Sequence, residues 1–344
     1  IEGGGSDKSP WVKIPAGLSV AYDHKKLDYA YKGVPQKHLN DRVITVNRGR
    51  CLGGSSSING MIYIRGNKND YDHWEKMGCK GWSYNDVLPI FKKLENDQTG
   101  GDPTYHSMDG EWPVVIQQDI NKTAQRFIRA GNHIGLAYNT DFNGASQLGL
   151  GDYKVTQDKG TRVNSYRAFI KPIVSRTNLT IMTHARVQSI EIEGDTAKSL
   201  KIQVNGVDKE LHCNKEIVLS AGAIESPRIL LSSGIGNKEE LETEGIRCQH
   251  NVPGVGENLQ DHPDVILRYL LSLLNYSYYY LGEIKLPHIS YQLSVDFITR
   301  SVTYYIIGKL SIERWHRQCK AVQRPLCTIM GTALLAASQR AHYL

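Results

Sequence analysis

Hydrophobic and polar residues alternate most regularly between residues 179 and 219. A period of two predicts strands over 179–182, 185–190, 197–204 and 216–219. Asn205-Gly206 between two of them is a two-residue hairpin signal. The last run ends in Ser220-Ala221-Gly222, and Pro227 after Ser226 predicts a helix that starts there. Elsewhere the period lengthens. Ala124, Phe127, Ile128 and Ile134 fall on one side of a helix over 121–134. Helices are also predicted around 71–77 and over 84–94, the second N-capped by Ser83. Residues 10–48 are loop-rich, with Pro10, Pro15 and Pro35, apart from a short strand signal at 43–46. Residues 160–170 predict a turn followed by a helix. The strand–Gly–helix order near Gly222 is the one by which a doubly wound α/β sheet approaches a ligand at the carboxyl ends of its strands. It places 216–219 in a parallel sheet.

Composition narrows the class. The chain has 344 residues, 40% hydrophobic and 22% charged, which is the balance of a soluble globular protein. Its net charge of +6 is spread along the chain, with no basic tract of the kind that follows nucleic acid. Six cysteines show no CxxC pair and no metal-ligand spacing, so no metal site is expected. No run of 18 or more apolar residues occurs, so no membrane span is expected. The sequons Asn121-Lys-Thr123 and Asn178-Leu-Thr180 lean toward a secreted, extracellular protein.

The stretch Gly53-Gly54-Ser55-Ser56-Ser57 has almost no side-chain bulk. Gly tolerates φ > 0 and lets backbone N–H groups come close to a ligand. Successive N–H groups in such a turn form a concavity for anions. The apolar run that follows, with Asn59 inside it, predicts a helix whose N-terminus faces that ligand. A flexible Gly/Ser linker is the competing reading. Leu52 on one side and Ile58, Met61, Ile62 and Tyr63 on the other argue against it.

The block from Gly49 to Asp72 resembles the first signature of the glucose-methanol-choline (GMC) oxidoreductases. Gly222-Ala-Ile-Glu-Ser-Pro-Arg-Ile-Leu-Leu-Ser-Ser-Gly-Ile-Gly236 resembles the second, and Val255-Gly-Glu-Asn-Leu-Gln-Asp-His262 the segment that follows it. Three blocks in order are more specific than one Gly-rich loop. The resemblance covers residues 1–264 and is strongest to the insect glucose-dehydrogenase-like branch. It implies an α/β fold, a Rossmann-like FAD-binding domain that is incomplete here and carries inserted and substrate-side segments.

The implied cofactor is FAD. The implied chemistry is oxidation of a small-molecule alcohol or sugar: a base takes the hydroxyl proton and hydride passes to flavin N5. By the same resemblance Glu2 matches the acid that binds the adenosine ribose, with Gly3 in place of the usual Ala; a solvated Glu on a disordered terminus is the alternative. Gly53, Gly54, Ser55, Ser56 and Asn59 would line the pyrophosphate and the flavin edge. The Val187 backbone would meet the adenine, although Val187 reads equally as an ordinary core strand residue. Ala221 and Gly222 would back the dinucleotide, and Asn258 and His262 would sit near the flavin. His262 is structural or cofactor-proximal in this pattern, and the catalytic base stays unassigned. Quinone and oxygen are both open as electron acceptor.

The chain starts past the strand and G-x-G-x-x-G turn that would open the nucleotide-binding unit, so it is expected to hold FAD weakly or not at all. Residues 265–344 are rich in Tyr and match no block of the family. Their apolar runs, 270–274 and 327–337, are short, and His316 in Arg-Trp-His-Arg-Gln-Cys does not resemble the catalytic context. A shifted reading frame or a retained intron is one explanation, and the tail is not expected to supply the catalytic half. Two alternatives stand beside the oxidoreductase: a non-catalytic product with an incomplete FAD site, and a hydroxynitrile lyase, which the same fold also hosts.

Overall fold

The structure, a computed structural model, describes residues 1–117, 120 and 122–262. These fall into two compact units. The first holds residues 1–117, 143–145 and 153–262; the second holds the described residues of 118–142 and 146–152. Asn121, Asp264 and the whole 265–344 segment with His316 lie outside the described residues.

The regular part of the first unit is a three-stranded antiparallel sheet. Ala185–Glu193, Thr196–Val204 and Val207–His212 pair in that order, with 196–204 in the middle. Asn205 (φ 50°) and Gly206 (φ 83°) form the tight turn between the last two. Positive φ at both positions matches the right-handed twist of a hairpin, which is why Asn-Gly serves here. Alternation, shifted by one residue at a bulge between Val187 and Ser189, puts Ala185, Ile190 and Ile202 on a buried face (at most 7% exposed), where the helix Gly222–Ser232 buries Ile229. Ser233 locks the two together: its Oγ donates to Ile229 O at 2.6 Å and accepts from Ile190 N at 2.8 Å.

The first residues clip onto the start of this sheet. Glu2 N donates to Met182 O (2.8 Å), Ala185 N to Glu2 O (3.0 Å) and His184 N to Gly4 O (2.8 Å). Gly5 forms a parallel bridge with Cys51. The approach is close enough that a Cβ on Gly4 would lie 1.8 Å from Arg50 O, so only glycine fits. Beneath this crossing Val12, Ala21, Leu27, Cys51 and Ile58 form an apolar cluster.

A second small sheet runs Glu95–Asp97, Trp112–Ile116, Lys154–Val155, parallel then antiparallel. The helix Tyr84–Leu94 leads into it, capped by a reciprocal Ser83–Asp86 box. The helix Lys68–Lys76 packs Tyr71 and Trp74 against Tyr84, Phe91 and Trp82. Five charged or titratable side chains close under this sheet. Arg65 Nη2 donates to Glu95 Oε2 at 2.8 Å, His106 Nδ1 lies 3.0 Å from Glu95 Oε1, and Lys154 Nζ donates to Asp97 Oδ2 at 3.0 Å. All are buried.

In the second unit the helix Lys122–His133 buries Ala124 and Ile128, as its apolar stripe predicts. Tyr138 and Leu150 form a parallel bridge, and Gly131 makes room for the Leu150 side chain. No helix among the described residues is long and apolar enough to cross a membrane.

Several expectations are corrected. Residues 216–219 form no strand; they have no ladder partner among the described residues, and Val218 is 76% exposed. A strand exists only by pairing with a neighbour, so alternation alone does not make one. Residues 179–182 form no strand, and of these Met182 O accepts from Glu2 N. The helix expected near Ser226 starts earlier, at Gly222, and leaves Pro227 inside it. The helix expected after Ser57 is a single 3-10 turn, Gly54–Ser57. Met61 adopts φ 62°, and residues 62 and 63 pair with Val155 and Lys154. Cross-chain pairing wins there over helix propagation.

Two stability measurements probe the buried ions. Glu95→Ala leaves Arg65 in the interior without its carboxylate and is expected to cost about 3–5 kcal/mol in denaturant unfolding. Burial would push the Asp97 carboxyl up, but hydrogen bonds from Thr99 and Lys154 prevail and hold it below the usual value. A depressed carboxyl contributes stability above its unfolded value of roughly 3.9 and loses it as pH falls through the folded value. Asp97→Asn should therefore be less stable at neutral pH and show a flatter loss below about pH 4 in acid unfolding.

Candidate functional site

The site is built on the 53–59 loop. Gly53 (φ 92°) and Gly54 (φ 53°) are both left-handed. A Cβ on Gly53 would lie 2.5 Å from Ser57 Oγ and 2.8 Å from Asn164 Cγ, so this glycine is required twice over. Gly54 faces open space instead, with nothing within 4 Å of an added Cβ. That is an approachable backbone surface of the kind a ligand needs. Ser55 Oγ accepts from Gly49 N at 3.1 Å, and Ser57, fully buried, donates to Leu52 O at 2.8 Å. Asn59 Oδ1 accepts from Met61 N at 3.1 Å and closes the turn.

A remote segment holds this loop in place. The hairpin Gln157–Asp158/Thr161–Arg162 delivers residues 162–165, and the short π-helix Tyr166–Ile170 follows. Ser165 N donates to Ser56 Oγ (2.9 Å), Ser165 Oγ to Gly53 O (3.2 Å) and Asn164 Nδ2 to Ser57 Oγ (2.8 Å). Arg162 Nη1 donates to Asn59 Oδ1 (2.7 Å) and Ser56 O (3.2 Å), while its Nε donates to Val12 O (2.9 Å). Arg167 Nε pairs with Asp7 Oδ2 at 2.6 Å. Residues 160–170 read in sequence only as a turn and a helix. Arg162, Asn164 and Ser165 carried no signal of their own, because their partners lie about a hundred residues earlier.

The other sequence candidates are less concentrated. Glu2 is half-buried at the clip. Burial pushes its carboxyl up, against the Gly4 N–H that it accepts at 2.8 Å, the N-terminus and Arg50. Val187 lies in the strand Ala185–Glu193, and its carbonyl accepts from Arg228 Nη2 at 2.6 Å. Ala221 and Gly222 (φ 90°) open the helix Gly222–Ser232 on the exposed side, where a Cβ on Gly222 would meet nothing. Asn258 (φ 55°) and His262 are exposed, and among the described residues no hydrogen bond joins either to the 53–59 loop. The structure thus brings together Gly53, Gly54, Ser55, Ser56 and Asn59, and does not join Asn258 or His262 to them by hydrogen bonds.

Two other groups are chemically quiet. Burial pushes the Cys51 thiol up to about 11, so it is no nucleophile at neutral pH. Glu95, Asp97 and His106 lie within metal-ligand distance of one another, but Arg65 and Lys154 already neutralise the two carboxylates. A dication would have to displace both.

Known proteins share this arrangement of blocks. A family model described as GMC oxidoreductase matches residues 1–264. An alcohol dehydrogenase [acceptor] of Pseudomonas putida is 40% identical over 273 residues, 78% of this chain and 49% of that protein. An oxygen-dependent choline dehydrogenase of Photobacterium profundum is 40% identical over 271 residues, 78% of this chain and 48% of the relative. Among solved structures, a pyridoxine 4-oxidase from Mesorbium loti superposes with a TM-score of 0.72 at 32% identity, covering 76% of this chain and 51% of the oxidase. An FAD-dependent oxidoreductase from Chaetomium thermophilum gives 0.72 at 29% identity, covering 77% of this chain and 48% of that one. The chain spans about half the length of the curated relatives it matches. The family model spans residues 1–264, well over half of the chain, so the chain belongs to the GMC oxidoreductase family.

Proposed function

We propose that residues 1–264 are the FAD-binding part of an oxidoreductase that acts on the CH–OH group of a small alcohol or sugar. The observation that carries this is the 53–59 loop: two left-handed glycines, an open face at Gly54, and a backbone pinned from residues 162–165. Such a pinned, side-chain-poor turn suits a dinucleotide, because its N–H groups are already oriented and little order has to be gained on binding. The residues present fit the group. Glu2, half-buried at the clip, is the carboxylate we assign to a ribose hydroxyl, and the helix at Gly222 starts without a side-chain cap, which supports an anion there.

FAD, when bound, supplies hydride acceptance at its flavin ring. The chain's part is to hold, orient and shield it. Names of the relatives support an alcohol donor, and the likeness of the motif blocks to the glucose-dehydrogenase-like branch supports a sugar. The relatives include both an acceptor-dependent and an oxygen-dependent enzyme, so quinone and oxygen are both tested as acceptor. No residue of the chain is assigned as catalytic base. His262 is exposed, and its backbone N–H donates to Asp261 Oδ1.

FAD titration into the chain, read by flavin fluorescence, is expected to show weak but saturable binding. Gly53→Ala should weaken it by about tenfold or more, because the new methyl meets Ser57 and Asn164 at a left-handed position. No FAD binding by the wild-type chain would favour a non-catalytic product instead. Where FAD binds, anaerobic addition of candidate alcohols and sugars should bleach the flavin band only with true donors.

We also propose a secretory route. Asn178 is exposed and followed by Leu179 and Thr180, which is an accessible acceptor for a glycan. Expressed in a secretory host, the chain should lose mass on endoglycosidase treatment. Asn178→Gln should reduce or abolish that shift.

A further inference from the structure

Two side-chain oxygens at the N-terminal clip are left without a partner. Glu2 Oε1 accepts from Gly4 N at 2.8 Å, and Glu2 Oε2 has no hydrogen bond among the described residues. Neither has the Tyr29 hydroxyl. Neither oxygen is sealed off from water. The phenol sits over the residue that follows Glu2: a Cβ added to Gly3 would lie 2.3 Å from Tyr29 Oη. Burial, and after it the Glu2 and Glu225 carboxylates, push the Tyr29 hydroxyl up, so it is a neutral group at ordinary pH. The ring is held in place. It stacks on Tyr31 with 5.2 Å between centroids and 7° between planes, and the Arg50 guanidinium lies 5.5 Å from its centroid. Tyr31 is anchored in turn, donating to Glu225 Oε1 at 2.6 Å in the first turn of the helix Gly222–Ser232.

A carboxylate only accepts, whereas a neutral phenol also donates. The two groups flank Gly3 and do not bond each other, so each is directed at a third partner. A hydroxyl meets both needs at once, because it donates to the carboxylate and accepts from the phenol. We propose that Tyr29 is a second ribose-binding residue, its hydroxyl donating to the adenosine ribose hydroxyl that donates to Glu2. The inference rests on the FAD reading of this chain. It gives the clip a selectivity that Glu2 alone lacks. A ribose without that hydroxyl leaves two protein oxygens unpaired, and a phosphate on it would bring negative charge against the carboxylate. The stacked ring, fixed by Tyr31 and Glu225, holds the donor in place before the ligand arrives, so little order has to be gained on binding.

ADP and its 2′-deoxy and 3′-deoxy analogues are the probes, titrated calorimetrically beside FAD into wild type and Tyr29→Phe. The variant keeps the ring and its stack and removes only the hydroxyl. Affinity for ADP and FAD is expected to fall roughly five- to tenfold in Tyr29→Phe, the loss of one hydrogen bond. One deoxy analogue should bind wild type more weakly than ADP does and bind Tyr29→Phe no worse, because the hydroxyl that Tyr29 addresses is gone. The other should lose as much as ADP, which identifies the hydroxyl. Equal losses on all three ligands would put Tyr29 against the base or the phosphates and overturn the proposal. The thermal midpoint of the ligand-free protein separates binding from structure. It should be the same in wild type and Tyr29→Phe, because the hydroxyl has no partner to lose; a lowered midpoint would mean that the hydroxyl is bonded within the protein, and overturns the assignment. If wild type binds neither FAD nor ADP, the FAD reading falls together with this inference. If wild type binds both and Tyr29→Phe matches it, only the role of Tyr29 falls.

Discussion

A backbone with two consecutive left-handed glycines and three serines cannot hold its own shape. Within its own stretch of chain its serines make only short local bonds, and Gly loses more freedom on ordering than any other residue. The 53–59 loop keeps one conformation because residues 162–165 reach across and bond its carbonyls and hydroxyls. The loop's open backbone face at Gly54 depends on that external clamp. It leaves Gly54 open while Gly53 is fully surrounded.

The clamp is in turn rooted in the core. Arg162 reaches Val12, which belongs to the apolar cluster under the N-terminal crossing. Trp112 donates from Nε1 to Val163 O at 2.9 Å and stacks edge-on against Phe169, tying the same segment to the second sheet. The clip of residues 2–4 onto 182–185 brings Glu2 to the edge of the hairpin sheet. The N-terminal clip is therefore positioned by backbone pairing, whereas the 53–59 loop is held mainly by side chains.

Buried charge is handled in two ways. Under the second sheet, Glu95 and Asp97 are matched by Arg65 and Lys154 with His106 between them, a closed network that sets local geometry. Behind the 53–59 loop the guanidinium of Arg162 faces neutral acceptors alone. The first arrangement balances charge with charge; the second balances it with backbone and amide oxygens alone.

The sequence by itself determined what short-range physics controls. The Asn205-Gly206 turn, the Ser83-capped helix, the apolar stripe of the 122–133 helix and the side-chain-poor 53–57 run follow from propensity, capping and φ tolerance within a few residues. Motif order was enough to point to the family and its dinucleotide. Pairing was not legible. Residues 216–219 have strand composition and no strand, and the apolar run after Ser57 reads as a helix start and forms none, because each outcome is decided by which distant segment offers hydrogen bonds. The role of Arg162 was hidden for the same reason. A lone arginine in a turn looks solvated in sequence; only the fold removes it from water, places it a hundred residues back against Ser56 and Asn59, and denies it a carboxylate.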